Sequence, residues 1–285
     1  MWTGATPASV SSASATAFHP LRMSEADFRK FRRLLHDEVG IYMSDIKKPL
    51  MEGRLAKRLA SCRFDRFGDY LALIESDAEE RQNAIDVLTT NETYFFREPE
   101  HFRHLGDSVA PDLLSVARPR VWCGASSSGE EPYTIAMVLA SALEHSGFEI
   151  LASDISTRVL ATARAGVYPM EDANGIPRAL RAAYCLKGVG SQQGRFMIDP
   201  NLRSRVRFEQ INLNAALPDI GLFDVIFLRN VMIYFNQDTK RAVVERVLKH
   251  LKPGGFFYIS HSESLHGLTT RLRMVQPSVY RMEGA

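Results

Sequence analysis

A short apolar segment runs into a loop of small residues, then a helix, then a second apolar segment that closes on an acid. Few folds accept that order. Residues 120–123, Arg-Val-Trp-Cys, read as a strand that enters the loop Gly124-Ala-Ser-Ser-Ser-Gly129. A helix is expected over about 131–144, then a strand over 149–153 with Asp154 at its end. The alternation continues with a helix over 156–165, a strongly apolar strand over 223–228, a helix over 238–251 and a strand over 256–260. Alternating strands and helices make a parallel sheet with helices on both faces, a doubly wound α/β domain. Between about 186 and 209 the rhythm breaks. There Gly188, Gly190 and Gly194 punctuate short alternating segments such as Arg195-Phe-Met-Ile, which predicts a small antiparallel β insertion.

Upstream the period is helical. Phe28, Phe31, Leu34 and Leu35 recur at three- and four-residue steps, the spacing of an amphipathic helix. Ser24 with Asp27 suggests its N-cap, and Gly40 its stop. Further helices are expected over 49–62, from Phe67, and over 79–88, with no strand signal among them. The organisation expected is a disordered tail (1–17), an all-α N-terminal domain (18–88), a linker (89–98) and an α/β domain (99–285).

Composition narrows the class. The chain is 45% hydrophobic and 24% charged, with a formal net charge of +2. That is ordinary for a soluble globular protein, and it gives no argument for a nucleic-acid partner. No apolar run approaches the ~18–20 residues that cross a bilayer, so no membrane insertion is expected. The Ser-, Ala- and Thr-rich start lacks the basic and apolar regions of a signal peptide. Cys62, Cys123 and Cys185 form no CxxC pair, which favours a reducing cytoplasm over a disulfide framework or a zinc site. His101 and His104 stand three apart on an expected helix and read as surface histidines; no metal site is expected. A monomer is the default.

In doubly wound sheets ligands bind beyond the carboxyl ends of the strands. The loop from Gly124 to Gly129 lacks the G-x-G-x-x-G spacing that seats a pyrophosphate, which favours S-adenosylmethionine over a dinucleotide. Asp154 is placed to accept hydrogen bonds from ribose hydroxyls; the alternative is an N-cap for the helix that follows. Glu131 either complements a helix dipole or meets the cofactor's amino group or sulfonium.

Four segments carry a sharper resemblance: Thr89-Thr-Asn-Glu-Thr-Tyr-Phe-Phe-Arg97, Ser127-Ser-Gly-Glu-Glu-Pro-Tyr-Thr-Ile135, Ala152-Ser-Asp-Ile155 and Leu228-Arg-Asn-Val-Met-Ile-Tyr-Phe235. In this order and spacing they resemble the CheR family of chemotaxis receptor methyltransferases, over residues 28–280. The resemblance implies S-adenosylmethionine-dependent methylation of glutamate side chains on the cytoplasmic helices of chemoreceptors. It implies cofactor contacts at Asn91, Thr93, Arg97, Glu131, Asp154, Asn212, Leu213, Arg229 and Asn230, and puts Arg229 and Tyr234 beside the transferring methyl. It also implies that the glycine-bearing loop of the β insertion can dock a receptor's C-terminal tether peptide. The first loop here reads Ala-Ser-Ser-Ser where many relatives are Ala-rich, a change with no functional consequence expected.

The chemistry needs little equipment. A glutamate with a pKa near ~4.3 is already ionised and serves as its own nucleophile, so the protein must mainly place it in line at ~3 Å and exclude water. Arg229 reads as a fork for the acceptor carboxylate or as a structural salt bridge, and Tyr234 as a donor to the same group or a packing aromatic. Residues 22–66 carry twelve Lys or Arg against seven Asp or Glu. Arg54, Lys57 and Arg58 fall on one helical face, either a docking surface for an acidic receptor helix or a solvated one. Two other readings stand beside these: a methyltransferase of small molecules or nucleic acids on the same fold, and an adaptor without turnover.

Overall fold

The computed structural model describes residues 22–143 and 147–284. The expected tail, and the far end of the first α/β helix at Glu144, lie outside the described residues.

Four helices open the fold: α1 (Glu25–Val39), α2 (Lys48–Ser61), α3 (Phe67–Ser76) and α4 (Ala78–Leu88). The Ser24 hydroxyl accepts from the Asp27 N–H, and Gly40 ends α1 at φ 75°, the left-handed conformation that glycine adopts without strain. The apolar stripes meet around Phe28, Phe31, Leu55, Leu59, Tyr70 and Ile74. One acid sits among them. Glu80 accepts from the Tyr70 hydroxyl at 2.7 Å and from the Arg58 guanidinium.

The chain then forms α5 (Pro99–His104), a π-helical stretch (Leu105–Val109) and α6 (Ala110–Leu113). Next come β1 (Arg120–Gly124), α7 (Glu130–Ala142), β2 (Glu149–Asp154), α8 (Thr157–Ala165), β3 (Val167–Pro169), α9 (Arg178–Tyr184), β4 (Cys185–Lys187), β5 (Arg195–Ile198), α10 (Pro200–Arg203) and β6 (Val206–Gln210). The chain closes with β7 (Phe223–Leu228), α11 (Gln237–Leu248), β8 (Leu251–Tyr258), β9 (Leu272–Gln276) and β10 (Val279–Met282). The main sheet has the order β6-β2-β1-β7-β8-β10-β9. Its first five strands are parallel. Side chains alternate across it: Val121 and Cys123 face the core shared with α7, while Trp122 faces the one shared with α11.

Two features differ from expectation. The insertion is a three-stranded sheet, β3-β5-β4, that begins at Val167 rather than near 186. Residues 206–209, expected inside it, belong to β6 and pair with β2 in the main sheet. The antiparallel strands β9 and β10 extend the far edge of the main sheet and were not foreseen; most of β9 is exposed, so it lacks a buried-face alternation.

The helical domain is tied to the sheet by mutual capping. Asp86 on α4 accepts from the backbone N–H groups of Thr157 and Arg158 at the start of α8. In return, Asn212 and Asn214 donate to the carbonyls of Glu38, His36 and Asp37 at the end of α1. Tyr42 N–H donates to the Tyr234 carbonyl at 2.8 Å.

Candidate active site

The strand order reverses beside β1, which pairs with β2 on one side and β7 on the other. That is the place where open α/β sheets leave a crevice. The loops after β1, β2, β6 and β7 converge there with the linker from α4. A single cavity is lined by Asn91, Thr93, Arg97, Glu131, Asp154, Asn212, Leu213, Arg229, Asn230 and Tyr234. These residues come from the linker and the α/β domain and are separated by up to 143 positions in sequence; the helical domain adds Val39, Tyr42, Lys47 and Leu50 to the same wall.

The first loop is built tightly. Ala125 and Ser127 hold φ of 58° and 48°, a conformation that costs of order 1 kcal/mol each and clusters at functional sites. The Ser127 N–H donates to Asp154 Oδ2 at 2.9 Å, and its hydroxyl donates to the Asn91 carbonyl at 2.9 Å. Gly129 turns the loop into α7 at φ 103°; a Cβ there would stand 2.7 Å from the Tyr168 hydroxyl. Gly124 ends β1 under this loop, with Leu228 against it, and is not on the cavity wall.

Asp154 is buried and joins two loops. Its Oδ1 accepts from the Ser156 N–H at 2.9 Å, while Oδ2 takes Ser127. Burial raises its pKa, opposed by these backbone donors. The N-cap alternative holds in part, because Ser156 N–H is satisfied here; the N–H groups of Thr157 and Arg158 are served by Asp86.

Arg229 departs from the expected carboxylate fork. Its side chain is 0% exposed. Nη1 binds Glu131 Oε2, and Nη2 binds Glu98 Oε2 at 2.9 Å and the Arg97 carbonyl at 2.6 Å. Nε is buried without a partner. Burial alone would lower the guanidinium's pKa, but the two carboxylates raise it instead, so Arg229 is held charged. The arrangement is a buried ion cluster at the cavity wall, with its Nη donors already committed to protein partners. Arg97 differs: its Nη1 donates to the Glu92 carbonyl and its guanidinium lies 5.6 Å from the Tyr94 ring centre, half-buried on the cavity wall.

The basic face on α2 is also divided. Arg54 donates to the Leu88 carbonyl at 2.6 Å and to Thr90 Oγ1 at 2.9 Å, which ends α4 and aims the linker. Arg58 is the partner of Glu80. Of the three, only Lys57 is exposed. Sequence reasoning missed Tyr42, Lys47 and Leu50, which bring the helical domain to the cavity; their signal was one lysine and two exposed apolar side chains. Gly188, Gly190 and Gly194 lie in the insertion, off the cavity wall. A Cβ on Gly188 would stand 2.0 Å from the Gln192 carbonyl oxygen, and Gly190 and Gly194 have φ of 58° and 83°, so all three shape that loop.

The histidine expectation fails for one residue. His101 is 0% exposed, not at the surface, and burial pushes its pKa down to about 3. His104 is half-buried, with Nδ1 2.7 Å from the Tyr258 hydroxyl.

Known proteins match most of the described chain. The model of the CheR methyltransferase all-alpha domain matches residues 26–89, and that of the CheR methyltransferase SAM binding domain matches residues 91–281. The chain is 41% identical to a chemotaxis protein methyltransferase of Klebsiella aerogenes, over 94% of this chain and 93% of that one. It is 39% identical to chemotaxis protein methyltransferase 2 of Pseudomonas aeruginosa, over 89% and 92%, and 38% identical to the Escherichia coli chemotaxis protein methyltransferase, over 92% of each. With two family models laid end to end and relatives matched nearly end to end, this chain belongs to the CheR methyltransferase family and uses S-adenosylmethionine as its cofactor.

Proposed function

We propose that this methyltransferase transfers a methyl group from S-adenosylmethionine to glutamate side chains on the cytoplasmic helices of chemoreceptors, forming γ-glutamyl methyl esters. The observation that carries the reading is the single cavity whose walls come from the sheet loops, the linker and the helical domain together. Such a cavity can hold a cofactor from one side and receive a protein side chain from the other.

The cofactor supplies a methyl group made electrophilic by its sulfonium. An ionised glutamate oxygen forms the new C–O bond as the C–S bond breaks, and the electron pair stays on sulfur. No proton moves, so no general base is needed. The residues present fit this task. Asp154 accepts one backbone N–H on each oxygen, which leaves lone pairs for ribose hydroxyls. Arg97 has guanidinium donors left for a carboxylate, and Leu213, Ile155 and Ile211 give an apolar wall for a base. Tyr234 orients the acceptor. Arg229 acts from the cavity wall, fixing Glu131 and the Arg97 backbone.

Receptor docking falls to the helical domain, with Lys47 at the cavity and Lys57 exposed on α2. The glycine loop of the insertion is the place for a tether peptide. The enzyme acts as a monomer in the cytoplasm.

The test uses methyl-labelled cofactor and receptor-containing membranes. Label on the receptor that mild base releases as methanol supports the ester. Base-stable label, or none on the receptor, overturns it.

A further inference from the structure

The linker, α5 and the segment after β8 meet behind the cofactor cavity, at a cluster that the methyl-transfer reading does not use. Among the described residues, Glu98, His101 and His261 each present one ligand atom, and these atoms lie within 4.8 Å of one another. His101 is 0% exposed, and neither of its ring nitrogens has a hydrogen-bond partner. Its Nδ1 lies 3.5 Å from Glu98 Oε2. The His261 ring stacks obliquely on it, with centroids 4.6 Å apart, and His261 is exposed, which gives the cluster an opening to solvent. Glu98 is the N-cap of α5 in the left-handed conformation, φ 60°.

We propose that Glu98, His101 and His261 form a binding site for a divalent transition-metal ion of the zinc class. Two imidazoles and a carboxylate are a donor set that such ions accept, whereas hard ions such as Mg²⁺ prefer oxygen alone. An ion held tetrahedrally at ~2.0–2.2 Å from each donor sets any two donors about 3.4 Å apart, so donors now within 4.8 Å of one another close on it by small side-chain rotations. Glu98 keeps capacity for the ion: Oε2 receives Arg229 and the His261 N–H, but Oε1 receives only the Ser260 hydroxyl. The charge balance favours a cation. Glu98 and Glu131 both meet Arg229, two carboxylates on one buried guanidinium. An ion would also satisfy a buried imidazole whose ring nitrogens have no hydrogen-bond partner.

The test is titration of the purified full chain, freed of metal with chelator, with Zn²⁺ alone. One ion per chain is expected, with affinity lowered at least tenfold in His261→Ala, whose exposed side chain can be removed without opening the core. Co²⁺ in place of Zn²⁺ should give visible absorption bands that His261→Ala and His101→Asn each abolish. Mg²⁺ should not compete. Absence of binding, or equal binding and unchanged Co²⁺ bands in both variants, overturns the proposal.

Discussion

Asp86 on α4 caps the helix that begins at Thr157, 71 positions away: its Oδ1 accepts the Thr157 N–H at 3.0 Å and its Oδ2 the Thr157 hydroxyl at 2.7 Å. A third bond comes from the Arg158 N–H. An intramolecular cap of this kind usually lies on the residue just before the helix; here another domain supplies it. Because Asn91 and Thr93 follow Asp86 closely in the chain, the same contact sets where the linker meets the cavity. Asp86→Ala removes this cap from the N–H groups of Thr157 and Arg158 and should cost about 0.5–2 kcal/mol. Thermal melting should show the loss, and calorimetry should show weaker cofactor binding. A variant that melts lower but binds cofactor normally would separate the cap from the site.

The ion pair inside the helical domain predicts an acid limb of stability. Burial works to raise the pKa of Glu80, but hydrogen bonds from Arg58, Tyr70 and Asn83 outweigh it and hold the carboxyl at about 2. The unfolded value is near ~4.3. Glu80 therefore favours folding where both states are ionised, above about pH 4.3, and that contribution fades as pH falls towards about 2. Melting temperature followed from pH 6 to 2 should drop more steeply in the wild type than in Glu80→Gln across this window. Parallel curves would mean that the pair adds nothing to folding.

The same pair shows where sequence reading stopped. Helices α1 to α4 and strands β1, β2 and β7 were legible because their apolar spacing matches one buried stripe or a fully buried strand, and because Ser24 and Gly40 mark ends by local chemistry. Of the residues that line the cavity, Asp154 and Glu131 were marked by the doubly wound pattern, and the others only by the family resemblance, since nothing local marks Asn212 or Thr93. Arg54 and Arg58 misled because helical spacing shows that two side chains share a face, not what packs on it. Their partners, the α4 terminus and Glu80, are at least 22 positions away. His101 misled likewise: a three-residue step from His104 says nothing about Tyr258 and His261 packing against its ring. Strand β9 was invisible because an exposed edge strand needs no apolar alternation.

Asp154 joins two loops that line the cavity, so on the proposed cofactor placement its loss should be felt at the cofactor first. Removing a charged acceptor of two hydroxyl donors costs about 1.5–3 kcal/mol, or roughly 10- to 150-fold in affinity. Asp154→Ala should raise the Kd for S-adenosylhomocysteine by that order in calorimetry. Unchanged affinity would remove the ribose role and leave Asp154 as the clamp between Ser127 and Ser156.

Arg229 gives the sharpest separation between two ways of needing an arginine. A fork for the acceptor carboxylate would affect only reactions with receptor present. The buried cluster with Glu98 and Glu131 must affect the enzyme alone. Removing the guanidinium leaves two carboxylates facing each other without compensation, a loss of about 3–5 kcal/mol for a buried pair. Arg229→Met should therefore lower the melting temperature in the absence of any substrate, and weaken cofactor binding through Glu131 and the Arg97 carbonyl. Arg229→Lys keeps the charge but cannot span both acids and the carbonyl in one plane, so it should recover part of the stability and little of the turnover. A variant that melts like the wild type and shows only a raised KM for receptor would return Arg229 to the substrate side of the cavity.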